Sequence, residues 1–344
     1  MHLSWTLKTF ITSLFTIIAL SAHVQPNTSI LDFSNSKIVS AEMGYTSAPF
    51  YLHYPLSNEL DKITYKNNLA PFLRLGFNYK WIAIRVSIPN IGNIRDAGNF
   101  GRTRQYNLGL DFSWKKVYYD FEFKYIHGYS LLNAYRWDST LDAVHRNSIQ
   151  PTIQSLNISA NAWYFHHKDF KMGALLGKRS YYTNLVHTWY VKGTMNFFGV
   201  DIKNGGLIPS VLQDETNSKT MSSTFSAFDV GLVPGYAYVN RFKNWQIAGW
   251  AGFGPVIQAK YYQVNGDFRG FLGLAPRYDV RLMGGYTTPK YFLFLVTDFD
   301  NKSIRFNQLV YRQNFYSLKL VGGYRFPAKE PKRKKSAFME RIKL

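Results

Sequence analysis

Apolar and polar residues alternate along most of this chain with a period of two. From Gln105 to Trp114 the even positions are Tyr106, Leu108, Leu110, Phe112 and Trp114, and the odd ones Gln105, Asn107, Gly109, Asp111 and Ser113. Val117, Tyr119, Phe121, Phe123 and Tyr125 repeat the pattern against Tyr118, Asp120, Glu122 and Lys124. Only Lys115-Lys116 separates the two runs. Successive side chains of an extended strand point to opposite faces, so each run predicts a two-faced strand and the pair predicts a hairpin. About ten residues is the length a tilted strand needs to cross a bilayer.

Other segments behave alike. Leu73, Leu75, Phe77, Tyr79 and Trp81 alternate with Arg74, Gly76, Asn78 and Lys80, and Ile82, Ile84, Val86 and Ile88 follow a tight turn. Leu156, Ile158, Ala160, Ala162 and Tyr164 oppose Ser155, Asn157, Ser159 and Asn161. Tyr278, Val280, Leu282 and Tyr286 oppose Asp279 and Arg281, and Leu318, Leu320, Gly322, Tyr324 and Phe326 oppose Ser317, Lys319, Val321, Gly323 and Arg325. Tyr291 to Asp300 fits less well, because Phe292, Phe294 and Val296 share a face with Asp298.

A soluble sandwich would also alternate. Here the polar face carries charges that suit a wet interior, and large apolar residues fill the other face. Tyr79 and Trp81, Trp114, and Trp163 to Phe165 gather at strand ends like an interfacial girdle. The fold class predicted is all-β, a transmembrane antiparallel up-and-down barrel of about 12 strands, with 14 as the alternative. Short turns are expected at 80–81, 115–116, 166–169, 241–244 and 288–290 on the periplasmic side. Longer outward loops are expected at 89–102, 128–150 and 263–275. Between Lys171 and Thr224 strands fit near 171–180 and 192–202, but the up-and-down parity then fails at Ser226. Either a further strand lies within 203–225 or one of the two does not span.

Composition supports this picture. The chain has 25 Tyr, 27 Phe and 8 Trp, 17% of its 344 residues, yet its mean hydropathy is slightly negative. Outward apolar and inward polar positions average out in a barrel. Lys8 precedes the apolar run Phe10 to Leu20, and the small residues Ser21 and Ala22 follow. That is the form of a signal peptide, residues 1–22, and the run is too short for a spanning helix. The chain has no cysteine, so neither disulfides nor an N-terminal lipidated cysteine are available. Export makes nucleic acid an improbable partner for the net charge of +20. Part of that charge sits in the tail, where Lys329, Lys332, Arg333, Lys334, Lys335, Arg341 and Lys343 outnumber Glu330 and Glu340. The tail suits anionic headgroups at the inner leaflet or an acidic periplasmic partner.

Three blocks carry a family likeness: Gly76 to Ile84 (GFNYKWIAI), Gly101 to Leu108 (GRTRQYNL) and Gly128 to Leu131 (GYSL). In them the chain resembles the domain-of-unknown-function 4421 family, predicted outer-membrane barrels of Bacteroidetes-type bacteria. The resemblance runs from about Ala48 to Phe326. It implies an outer-membrane location and a barrel, and it brings no catalytic residue. The terminal strand with Tyr324 and Phe326 resembles the signal read by barrel-insertion machinery. The expected organisation is therefore a signal peptide at 1–22, a periplasmic segment at 23–45, the barrel at 46–326 and a basic periplasmic tail at 327–344.

The charges expected to point inward are Arg74, Arg85, Asp111, Asp120, Glu122, Lys124, Asp229, Asp279, Arg281, Lys319 and Arg325. They fit either a salt-bridged network filling a narrow interior or a polar pore for a small polar solute. An enzyme would need a nucleophile, a base and an orienting group at one place. His127 with Ser130, Asp138 and Asp142, and His187 in what reads as the next outer loop, are the nearest approach. His166-His167 has no third metal ligand, since adjacent side chains in a strand diverge. Neither metal nor cofactor is expected. Two functions stay open: a non-enzymatic barrel acting as a narrow channel or a structural or surface-interaction protein, and a barrel hydrolase acting on lipid or peptide at the outer rim.

Overall fold

The computed structural model describes residues 30–57, 60–88, 92–114, 117–142, 144–167 and 169–327. The expected signal peptide, the Lys115-Lys116 turn and all of the basic tail but Pro327 lie outside them. The strands are β1 (Ile30–Asp32), β2 (Lys37–Ser47), β3 (Phe50–Ser57), β4 (Leu60–Lys66), β5 (Ala70–Tyr79), β6 (Ile82–Ile88), β7 (Arg104–Trp114), β8 (Val117–Leu131), β9 (Ser148–Phe165), β10 (Ser180–Tyr182), β11 (Val186–Ile202), β12 (Thr224–Phe242), β13 (Trp245–Val264), β14 (Asp267–Thr287), β15 (Tyr291–Arg305) and β16 (Val310–Phe326).

Twelve of these close an antiparallel ring: β2, β5 to β9 and β11 to β16, each bonded to the next, with β16 returning to β2. The closing seam runs from Tyr316↔Ser47 to Phe326↔Lys37, so the first ring strand starts and the last one finishes at the end of the short turns. The ring therefore begins at Lys37, ahead of residue 46. Its outer surface is apolar all round. Met43, Leu75, Val86, Leu108, Phe121, Ile158, Met195, Val230, Ile247, Leu282, Leu295 and Leu320 come from successive strands and are all exposed. Water would penalise such a belt, whereas hydrocarbon solvates it.

Three expectations change. Residues 171–180 do not span: they form a helical turn (Met172–Leu175) leading to β10, within a connection that folds into the ring's mouth. That restores the parity at Ser226 with the segment 203–223 as a loop. Residues 263–275 are no loop, because Asn265-Gly266 makes a two-residue turn with both φ positive and the strands run straight into it. Trp163 and Phe165 face inward rather than joining the exposed Trp81, Trp114 and Tyr164.

β3 and β4 form a hairpin that β2, β5, β6 and β7 do not reach. β3 pairs with β16 from Gln313↔Phe50 to Val310↔His53, directly above the stretch of β16 that pairs with β2. β4 pairs with β8 at Tyr65↔Leu131. The hairpin thus replaces four short strands in the wall of the loop end. β8 adapts through a bulge between His127 and Tyr129. Gly128 there has φ +92°, and a Cβ would lie 2.1 Å from the Arg102 carbonyl oxygen. The bulge lets Ile126 and Tyr129, three apart, both turn inward.

Candidate functional site

The ring's interior has three tiers. At the loop end Phe50, Leu52, Tyr65, Tyr129, Phe198, Phe225, Tyr311 and Phe315 make one apolar cluster. The loop 203–223 adds Leu207, Ile208 and Leu212, and the Tyr65 hydroxyl donates to the Leu207 carbonyl at 2.6 Å. At the opposite end the connection after β9 inserts Phe170, Met172, Leu175 and Tyr182 among Trp163, Tyr190, Trp250, Phe292, Phe294 and Val296. The unexpected phase of β15 now has its cause. Phe292, Phe294 and Val296 are 0–5% exposed because they face this plug, while Tyr291, Leu293 and Leu295 face outward.

Between the two apolar tiers lies a belt of charge. Arg74 Nη1 is 3.2 Å from Glu42 Oε2, and Lys178 Nζ of the plug is 2.9 Å from the other oxygen of that carboxylate. Arg85 Nη2 lies 3.3 Å from Asp111 and 3.2 Å from Asp120. Arg179 of the plug also pairs with Asp111 and donates to the Trp81 carbonyl at 2.8 Å. Lys124 bridges to Glu122 at 2.8 Å. Asp229 pairs with Arg277 and accepts from Asn196 at 2.7 Å; Asp279 pairs with Lys192 and accepts from Trp250 Nε1 at 2.8 Å. Asp298 pairs with Arg281, with Lys319 at 2.8 Å and with Ser317 at 2.7 Å. Arg325 meets no carboxylate among the described residues. It donates to the carbonyls of Lys178 (2.8 Å), Gly177 (2.5 Å) and Thr288, and to Thr287 Oγ1 (3.1 Å), pinning the plug to the wall.

Alternation singled out eleven of these charges but not their partners Glu42, Lys178, Arg179, Lys192, Arg277 and Asp298, nor Lys302, which pairs with Asp300 at 3.2 Å. Glu42 and Lys192 sit in alternating strands and could have been read. Lys178 and Arg179 could not, because the plug has no period. Buried charges persist only when paired and hydrogen-bonded; apart from Glu122–Lys124, which lies within β8, and Asp300–Lys302, within β15, the pairs above join different strands or the plug to the wall. What space remains in the belt is a cavity of about 120 Å³.

The catalytic candidates are not brought together. His127 lies on the outward side of the bulge, whereas Ser130 is fully buried. Asp138 accepts from Thr140 and Asp142 from Val144 and His145. His187 is not in an outer loop but near the start of β11, at the plug end, with Nδ1 2.5 Å from the Tyr236 hydroxyl. His166 stacks on Trp189. Among the described residues no cluster of His, Asp or Glu has the makings of a metal site.

A family model described as Domain of unknown function (DUF4421) matches residues 30–326. The chain belongs to that family. No curated protein matches it significantly. Among solved structures, this DUF4421 chain is similar to the outer membrane protease OmpT from Escherichia coli, with 10% identity and a TM-score of 0.40 over 88% of this chain and 99% of that one. The translocator domain of the autotransporter NalP from Neisseria meningitidis is 9% identical, with a TM-score of 0.37 over 94% and 98%. The COG4313 outer membrane channel from Pseudomonas putida F1 is 11% identical, with a TM-score of 0.37 over 88% and 100%. At these scores the likeness is loose, and no activity follows from it.

Proposed function

We propose that this DUF4421 protein is an outer-membrane barrel, exported by a cleaved leader at residues 1–22, whose axis is closed to water and ions. The plug supports this reading. It enters from the turn end, buries Phe170, Met172 and Leu175, and is held by Glu42, Asp111 and Arg325 on three separate strands. With the loop end closed by its own apolar cluster, the charged belt acts as internal cement rather than as a conducting path. Tyr324 and Phe326, exposed on the closing strand and 4.9 Å apart, suit recognition by insertion machinery. The basic tail would then face the periplasm, near anionic headgroups or an acidic partner. No geometry at His127 favours the hydrolase.

Gel mobility with and without boiling, run beside planar-bilayer conductance, tests the reading. The expected result is a shift on boiling with no steady conductance. Steady conductance from the intact protein would overturn the closed axis, and extraction in plain buffer without a shift would overturn the membrane barrel.

A further inference from the structure

We infer that the wall between β14 and β15 is a lateral binding site for an anionic amphiphile, with its headgroup inside the charged belt and its hydrocarbon chain outside in the membrane. The inference rests on the membrane reading above and adds a ligand to it. β13 and β14 pair along their whole length, from Trp245↔Tyr286 to Val264↔Asp267. The next seam does not: β14 pairs with β15 only from Thr287↔Phe292 up to Asp279↔Asp300, although both strands continue. Pro276 stands just above the parting and has no N–H with which to extend the ladder. In place of backbone bonds, Gln258 and Lys260 of β13 reach across to the carbonyls of Ser303 and Arg305.

The 120 Å³ cavity borders this parting, lined there by Tyr278, Asp279, Phe299 and Asp300. Its walls include inward charges and also Tyr278, Phe299 and Tyr316, which lie on the outward side of their strands. Those three rings form a continuous run, with centroids 5.7 Å and 5.1 Å apart. With the axis closed as proposed above, the side is the way in. A cavity of this size takes a few waters or a small headgroup but not an alkyl chain. The lining carries seven cations against five carboxylates, and Asp229 and Glu42, which pair with Arg277 and Arg74 from behind it, bring the charges to balance, so the pull on an anion comes from the unfilled Nε of Arg277. Arg277 is 3% exposed, and its Nε donates to no group among the described residues. Lys302 of β15 lines the same cavity, 4% exposed; its Nζ is 3.2 Å from Asp300 and donates to Asn196 at 3.1 Å, which leaves one of its three N–H groups for a ligand. A carboxylate or phosphate placed between Arg277 and Lys302 gains charge-assisted hydrogen bonds, while its chain lies against Phe299.

Native mass spectrometry of the folded barrel in an uncharged detergent tests this with four probes: dodecanoate, dodecyl phosphate, dodecanol and inorganic phosphate. A single dodecanoate or dodecyl phosphate is expected to stay bound, with dodecanol about tenfold weaker and inorganic phosphate not retained. Lys302→Gln and, on the outer side, Phe299→Ala should each weaken retention about tenfold. Leu75→Ala on the far wall should not change it. Equal binding of dodecanol would reduce the site to ordinary lipid contact. Equal binding of inorganic phosphate would make it an aqueous anion site, and an unchanged Lys302→Gln variant would remove the proposed headgroup contact. Should Lys302→Gln lose its heat-dependent gel shift, Phe299→Ala decides alone. A wild-type protein without the gel shift would fail the membrane reading instead, so the two failures are separable.

Discussion

The two ends of the barrel are stopped by different means. At the turn end the ring is complete and a connection of low regularity is pushed into it, anchored by ion pairs from several strands. At the loop end the stopper is the wall itself: β3 and β4 stand in for four shorter strands and turn Phe50, Leu52 and Tyr65 into the lumen, while β14 and β15 part. A full ladder satisfies every backbone group and leaves side chains free to bind a separate plug. A wall with borrowed strands trades that completeness for a change of shape part-way up. The first end is therefore expected to depend on particular charges, and the second on apolar packing.

The largest effect should come from replacing residues 167–185 with a short turn. Glu42, Asp111 and Arg325 would lose partners together, at about 3–5 kcal/mol for a broken buried pair, beyond the cost of the vacated apolar volume. Urea unfolding should register that loss, and planar bilayers should show conductance that the intact protein lacks. Gly177→Val comes next. Gly177 has φ +64°, and a Cβ would sit 2.5 Å from the Phe294 ring, so strain and overpacking together should cost about 2–4 kcal/mol. A lower temperature of heat-modified gel mobility checks it. Glu42→Gln should cost about 2–3 kcal/mol by leaving Arg74 and Lys178 short of a charge, and a double-mutant cycle with Arg74→Gln should recover part of that. If the loop end proved equally sensitive to single charge removals, the contrast between the ends would fail.

The smallest effect concerns the loop 203–223. The hydroxyls of Thr216 and then Tyr54, with the Thr216 amide, hold the Asp214 carboxyl below its ordinary range. A carboxylate with a depressed folded pKa stabilises at neutral pH and loses that contribution as pH falls below roughly 4. Hydrogen exchange in this loop should rise there first, and Asp214→Asn should flatten the pH response.

Ring strands such as Tyr106 to Trp114 were legible because each turns one face to a polar interior and the other to an apolar surround, and the charges on the inner face with large apolar residues opposite set them apart from a soluble sandwich. β15 fitted less well because its inner neighbour is the plug, so Phe292, Phe294 and Val296 turn inward on the same face as Asp298. The plug was hidden because Met172-Gly173-Ala174-Leu175 has no period and its charges meet partners far off in sequence, Lys178 with Glu42, 136 residues away, and Arg179 with Asp111, 68 away. Asn265-Gly266 was a readable hairpin signal, overlooked in favour of a long loop. The substitution of β3 and β4 into the wall depends on which strand each meets, and alternation is silent about partners.

Arg325 lies two residues from the described end of the chain, and Glu42 belongs to its first ring strand. The plug between them comes from the middle. It has its full set of partners only when the last strand is in place, so its anchorage is complete only in the finished ring. A barrel halted before the closing seam forms would leak, and sealing would mark the moment at which the whole chain has arrived.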